Sequence, residues 1–465
     1  MTTYEAASGH WSDIQDAFDL SSAGDIVTIP SGTHNFLNVD EDWSLDPQVT
    51  MTPGVDLMGA LTDRDENNQV SGAWKTILQT PTEVSSLNRW FGVDGTSQAD
   101  ENNRISDIEL RGYRYTDNES TTENKGIIIR DIVNFRVDHC NFQDTCWGGL
   151  TIWNSSGLVD HCRFVNSAGY VEASIANCTV VYGMEVYRAY GNVWENDVTD
   201  VLGQYTEYSV FVEDSYFEKW RHCIASNTGA HYIFRYNIIL NDYGFGSVDA
   251  HGWFQAHCKN PQHGLQALVP VEWSAELGAY VCAYEVLGNP GDICGVEYNP
   301  DEQGGVFYTG QVGTRATEIY ENTITDAIQT VWGTMIRGGA GVSFNNTFGD
   351  GTYSIFMYLS NDMWNRPHGS KVWINDWYIW DNTMQDGESE VTVYDTQDPP
   401  QIVENVNYFK RAPTVEDDGF TYTPYTYPHS LNTDEEQEEE GEIGVRNGTT
   451  FNESLGASVL RGLMR

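Results

Sequence analysis

The stretch "VDHCNF", Val137–Phe142, returns one repeat later as "VDHCRF", Val159–Phe164. Generalised to apolar, two variable positions, Cys/Asn/Ser, one variable position, apolar, the pattern continues along the chain. It fits "IANCTV" from Ile175, "VWENDV" from Val193, "VEDSYF" from Val212, "FRYNII" from Phe234, "IYENTI" from Ile319 and "IWDNTM" from Ile379. Looser copies are "SFNNTF" from Ser343 and "ISDIEL" from Ile105. From Val137 to Phe234 the starts recur with a slightly variable spacing. Such self-similarity marks a solenoid, and this period suits one coil of a parallel β-helix, whose short strands alternate side chains in and out. The small polar fourth position then points inward at a bend, where amides or thiols of successive coils stack. Cys140, Cys162 and Cys178 all occupy it, so they read as buried ladder members rather than disulfide partners.

A solenoid end exposes unpaired strand edges and needs a cap. "WSDIQDAFDLSSAGDIVTIPSGTH" supplies one at the N-terminus. Trp11, Ile14 and Phe18 share a helical stripe with Ser12 and Asp13 at its start, and Gly24 ends it before a strand Ile26 to Ile29. At the other end "FTYTPYTYPHSL" alternates Tyr with Pro424 and Pro428, which suits an extended strand laid against the solenoid.

The cap helix, the "GDIVTIPSGT" strand and turn, and the coils behind them resemble the right-handed parallel β-helix, pectate-lyase-like superfamily, over about residues 10 to 430. The Tyr/Pro segment is similar to the closing segment of many such proteins. The resemblance implies an all-β solenoid with an N-terminal capping helix. The expected organisation is a cap at 1–35, a β-helix at 36–430 with an insertion at about 245–315, an acidic linker at 431–442 and a docking segment at 443–465. The last carries Leu455, Val459 and Leu463 four apart behind Asn452, a short amphipathic helix or a frayed terminus.

The chain has 68 acidic residues against 24 basic ones, a formal net charge of -44, and only six lysines. That charge disfavours nucleic acid and anionic membranes, because phosphates would meet repulsion. Fifteen Trp argue against a disordered acidic protein and for a folded one in high salt, where screening makes dense carboxylates tolerable. The N-terminus shows no signal-peptide pattern, and no apolar run is long enough to span a bilayer.

Chemistry-bearing residues gather where the repeat breaks. His222 lies in "WRHCIAS" behind the coil start at Val212, and Asp249 and His251 lie in "SVDAHG" behind the next start at Phe234. They are expected on adjacent stacked strands, with Arg221 beside them. Arg221, His222, Asp249 and His251 form the candidate acid–base group, since moving a proton on a sugar needs such groups within hydrogen-bond reach. The bland alternative is an Asp–His network that orients a turn. Asp249 with acidic loops could instead hold calcium, which takes ~6–8 oxygens. Zinc at His251, His257, Cys258 and His263 lacks paired ligand spacing, and Cys258, Cys282 and Cys294 could include a disulfide. The Arg-x-Pro-x-x-Arg arrangement of pectate lyases and the ordered polygalacturonase motifs are absent, so no catalytic residue carries over from the resemblance. Among the aromatics, Trp147, Trp153, Trp220 and Trp253 are candidate sugar platforms, since flat rings stack on sugar faces.

Three readings follow. The first is a virion-surface adhesin of a halophilic virus, a homotrimer resembling tail spikes. It binds host polysaccharide or glycoprotein and meets other virion proteins through the C-terminal segment. The second is a secreted polysaccharide lyase or glycoside hydrolase, and the third a purely structural decoration protein. Whether the chain is an enzyme stays open at this level.

Overall fold

The computed structural model describes residues 1–38, 48–80, 89–95, 102–112, 125–145, 148–166, 182–187, 202, 209–227, 229–240, 246–250, 257–259, 266–268, 271–274, 279–282, 314–325, 331–349, 352–359, 374–384, 389–395, 400, 402–415, 417 and 421–432. Three long parallel sheets of 12, 10 and 10 strands carry the fold, and each coil contributes one strand to each sheet in turn. One coil runs Val133–Asp138, Asn141–Gln143, Gly148–Trp153, and the next begins Ser156–Asp160, Arg163–Val165. Val137 pairs Val159 and Phe142 pairs Phe164, so the quoted repeat is the register of the solenoid. The chain is a right-handed parallel β-helix, the hand that parallel crossovers take.

The repeat spans the corner between the first and second sheets. Its third residue, Asp107, His139, His161, Asp214, Tyr236, Glu321, Asn345 or Asp381, sits in the left-handed region with φ between 49° and 62° in every described copy. That conformation reverses the side-chain phase so that the fourth residue turns inward. Cys140, Cys162, Ser215, Asn237, Asn322 and Asn346 are buried there. Asn237 Oδ1 accepts the Ser215 backbone N–H at 3.0 Å, and Asn322 Oδ1 accepts that of Asn237 at 2.9 Å. Asn346 Oδ1 likewise takes that of Asn322 at 3.1 Å. The amides thus satisfy buried bend groups that have no ladder partner. Cys140 and Cys162 are free and buried, and burial pushes the Cys162 thiol well above its ordinary range. The sixth position adds an inward stack of Phe142, Phe164 and Phe217, with centroids 4.6 and 4.7 Å apart. Gly126, Gly149 and Gly183 on the third sheet make room for it, since a Cβ at each would press on a ring of that stack or on a neighbouring carbonyl.

Two copies of the repeat, "IANCTV" and "VWENDV", lie outside the described residues. Ser156–Asp160 pairs directly with Val210–Glu213, Val159 against Val212. Cys178 lies outside the described residues. The long gap after Phe234 is likewise one coil, because Phe234 pairs Ile319. Its excursion includes two antiparallel hairpins, His257–Lys259 with Gln266–Leu268 and Val271–Ser274 with Ala279–Cys282.

The helix Trp11–Leu20 closes the N-terminal end, with Ile14 and Phe18 buried in the core and Trp11 packed against it. His10, not Ser12, is its N-cap. A strand the sequence did not announce, Thr3–Glu5, precedes it and pairs with Ile26–Thr28. Residues 421–432 lie along the outer face of the first sheet, where Tyr422, Tyr425 and Leu431 pack on a cluster including Phe211, Ile233 and Phe344. Residues 1–431 form one compact unit, which takes in Leu431, the first residue of the expected linker; residues 433–442 of the linker and the docking segment lie outside the described residues. Among the described residues no helix is long and apolar enough to cross a membrane.

Asn322→Ala leaves the Asn237 backbone N–H and the carbonyls of Phe234 and Tyr320 without that partner. At ~1–3 kcal/mol for each group left unmet, denaturant unfolding should show a loss of about 3 kcal/mol or more. A loss below ~1 kcal/mol would remove the ladder from the account.

Candidate functional site

Adjacent strands of the third sheet bring two of the four expected residues, His222 and Asp249, near each other. His222–Asn227 and Val248–Ala250 pair in parallel, Ala225 against Asp249. Leu150, Met184, Ile224 and Val248 point into the core. Thr151, Glu185, Ala225, Asp249 and Met335 therefore form one outward row in continuous register. The row is buried as well: Glu185 is 2% exposed and Asp249 0%.

Asp249 accepts from Nε of Arg337 at 3.0 Å and from Nη2 in a second short bond, a bidentate pair. His222 Nδ1 meets the Gly246 carbonyl at 2.6 Å. A carbonyl only accepts, so Nδ1 carries the hydrogen and Nε2 turns its lone pair toward Asp249 Oδ2, 3.6 Å away. Burial lowers the His222 pKa to about 4 and the charges of Arg337 and Arg221 add to this, against the attraction of Asp249. The imidazole is neutral at neutral pH. Tyr182 stacks on it with centroids 5.6 Å apart. Glu185 accepts from Tyr187 Oη at 2.6 Å and Thr151 Oγ1 at 3.0 Å, and Lys125 Nζ lies 3.5 Å from it.

The arrangement is a closed polar cluster. Asp249 has both oxygens on a guanidinium, and His222 has no proton to give at Nε2 and almost no exposure. Arg337 takes up both oxygens of Asp249, the residue suggested for calcium; among the described residues no group of three or more His, Cys, Asp or Glu is placed to hold a metal. Arg221 is half-buried at the strand start. His251, Trp147, Trp253 and the side chains of Cys258, Cys282 and Cys294 lie outside the described residues. Trp220 is fully buried in the core, which removes it from the candidate platforms.

Trp153 is half-buried at the end of its strand. It belongs to a second outward row, two residues further along each strand, where Asp94, Arg130, Trp153 and Tyr187 lie in register. Trp153 and Tyr187 are half-buried, their rings tilted with centroids 5.1 Å apart. Arg130 and Asp94 lie 3.5 Å apart beside them with side chains 38% and 62% exposed. Tyr187, Glu185 and Arg337 escaped the sequence reading. Tyr187 and Glu185 lie on the strand Tyr182–Tyr187, which carries no copy of the repeat, and Arg337 meets Asp249 only through register across a long excursion.

Fold and register together define the class as a right-handed parallel β-helix. No protein-family model matches the chain, and no curated protein matches it. Similar solved structures include ORF18 of Geobacillus virus E2, at TM-score 0.36 and 11% identity over 84% of this chain. Others are an alginate lyase from Paenibacillus sp. (0.30, 10%, 77% of this chain and 98% of that one) and a family 28 exopolygalacturonase from Yersinia enterocolitica (0.31, 10%, 84% and 75%). The chain spans 59% of the length of the viral protein. Likenesses this distant carry no argument about chemistry, and the class rests on the strand register.

The neutral His222 has a signature in stability. Its folded pKa of about 4 lies below the ordinary 6.5, so the native state binds fewer protons than the unfolded one between those values. Stability from this residue is complete above pH 6.5 and lost as pH falls toward 4, about 3 kcal/mol in all. Unfolding free energies measured across that range should fall less steeply in His222→Gln than in the parent; equal slopes would contradict the neutral assignment.

Proposed function

We propose that the chain is a glycan-binding β-helix, a virion-surface adhesin of a halophilic virus that holds host cell-surface glycan or glycoprotein along the outer rim of the third sheet. The observation that supports it is the row of Asp94, Arg130, Trp153 and Tyr187. Two accessible flat rings can cover the C–H faces of sugars while a guanidinium and a carboxylate beside them bond hydroxyls. Successive strands place these side chains ~4.8 Å apart, so the row is a linear platform suited to an extended chain. The net charge of -44 supports high salt as the working medium. Virion assembly, the homotrimer and a partner for residues 443–465 belong to the same proposal.

The alternative, a secreted lyase or hydrolase, needs a group free to move a proton at the bound sugar. Asp249 held by Arg337 and the enclosed His222 speak against that, and leave these residues a structural task.

Retention of the full-length protein on host envelope polysaccharide in molar salt tests the reading. Trp153→Ala and Tyr187→Ala should each weaken binding roughly tenfold, the worth of one ring face, while His222→Gln leaves it unchanged. New reducing or unsaturated sugar ends that disappear in His222→Gln would replace the adhesin with the enzyme.

A further inference from the structure

Residues 421–432 follow the first sheet from its later coils back toward earlier ones without joining it. Among the described residues they make no strand pairing with the solenoid. Tyr422 Oη donates to Glu318 at 2.6 Å, Tyr427 Oη to Asp214 at 2.8 Å, and the His429 backbone N–H to Glu213 at 3.2 Å. The centre is Arg235, fully buried. Its Nε and Nη2 donate to Glu213, Nη1 to the Tyr320 hydroxyl at 3.1 Å and the Tyr425 carbonyl at 2.6 Å, and Nη2 also to the Thr426 carbonyl at 3.0 Å. All five N–H groups of the guanidinium are used, two of them on this segment. Phe211, Tyr425 and Tyr427 surround its carbon at 5.4, 5.7 and 5.5 Å.

We propose that residues 421–432 are a detachable strap fastened to the solenoid through Arg235, with Glu213 beneath it and His429 within it as the contacts through which pH acts on its closure. Its anchors are side-chain bonds and ring contacts, which can release together without unzipping a sheet. Under the segment Glu213 is fully buried, and His429 within it is half-buried. His429 Nδ1 accepts the Leu431 backbone N–H at 3.1 Å, a bond that needs the neutral ring, while its ring packs on Phe211 at 4.4 Å. The other charged and titratable groups facing the pair are Arg235, Arg136, Asp160, Asp214, His161, Tyr236 and Tyr427.

Burial raises the Glu213 pKa to about 7 against the pull of Arg235, and raises that of the adjacent Asp214. Burial and the Arg235 charge lower that of His429 to about 4. As pH falls below 7, closing takes up a proton at Glu213 and is favoured; as it falls below 6.5, closing expels one from His429 and is disfavoured. Each acts with up to roughly tenfold per pH unit. Over the shared range the two offset each other.

Hydrogen–deuterium exchange of residues 425–431 in the full-length protein, divided by the intrinsic rate at each pH, reads the closing constant. His429→Asn should gain protection roughly tenfold per pH unit more steeply than the parent between pH 6.5 and 4.5, and Glu213→Gln should depart in the opposite sense. His429→Asn lies on the strap, so it reports even where Glu213→Gln weakens the solenoid. Parallel pH profiles for parent and His429→Asn, or a segment exchanging as fast as a free peptide at every pH, would overturn the proposal.

Discussion

From His139 onward each described coil turns from the first sheet to the second through one residue in the left-handed region, followed by a small polar side chain pointing inward. The rest of the molecule depends on that bend. A left-handed residue inverts the side-chain phase, so the apolar residues on both sides of the corner reach one core. The inward Asn, Ser or Cys then meets the backbone groups that the turn takes out of the sheets. Because the amides bond from coil to coil, the bends must stack above one another, and their stacking fixes the register of all three sheets. Excursions of any length can leave elsewhere in a coil provided the chain returns to the next bend. That is why the passage from Val159 to Val212 and the longer one from Phe234 to Ile319 each count as one coil.

Charge follows a second rule. With 68 acids and 24 bases, most carboxylates have no partner to find. Those that the sheets bury do. Arg104 holds Asp138, Arg136 holds Asp160, Arg235 holds Glu213 and Arg337 holds Asp249. Arginine suits the task because its planar fork meets a carboxylate with two donors and it stays charged when enclosed. Removing one partner of such a pair leaves an uncompensated buried charge, which costs far more than an exposed pair contributes. The Asp249 cluster belongs to this series, which accounts for its geometry without any catalytic demand.

The sequence makes the solenoid legible because the bend repeats its residue types: "VDHC" and "EN" or "DN" before an apolar residue can be seen by eye. It also betrays the third position, where Asp, Asn and His recur, residues that tolerate the left-handed region better than most. A local pattern has a limit, since it cannot say which matches are stacked: the strand paired to Ser156–Asp160 is Val210–Glu213. The candidate site is half legible. His222 and Asp249 are near enough in the repeat to be placed side by side, but Arg337 arrives from beyond a long excursion and changes what Asp249 can do. Trp220 and Trp153 look alike as isolated letters. One fills the core from the turn between Tyr216–Glu218 and His222–Asn227, and the other lines a rim at the end of the strand Gly148–Trp153.

The central functional claim is that sugar lies along the outer rim of the third sheet. Oxidative footprinting of the full-length protein with and without host envelope polysaccharide, read at single residues by mass spectrometry, tests it directly. Protection should concentrate at Trp153 and Tyr187, with the Tyr422 and Tyr425 region over the first sheet unchanged. Unaltered labelling of Trp153 and Tyr187 under saturating polysaccharide, with protection on another face, would contradict it.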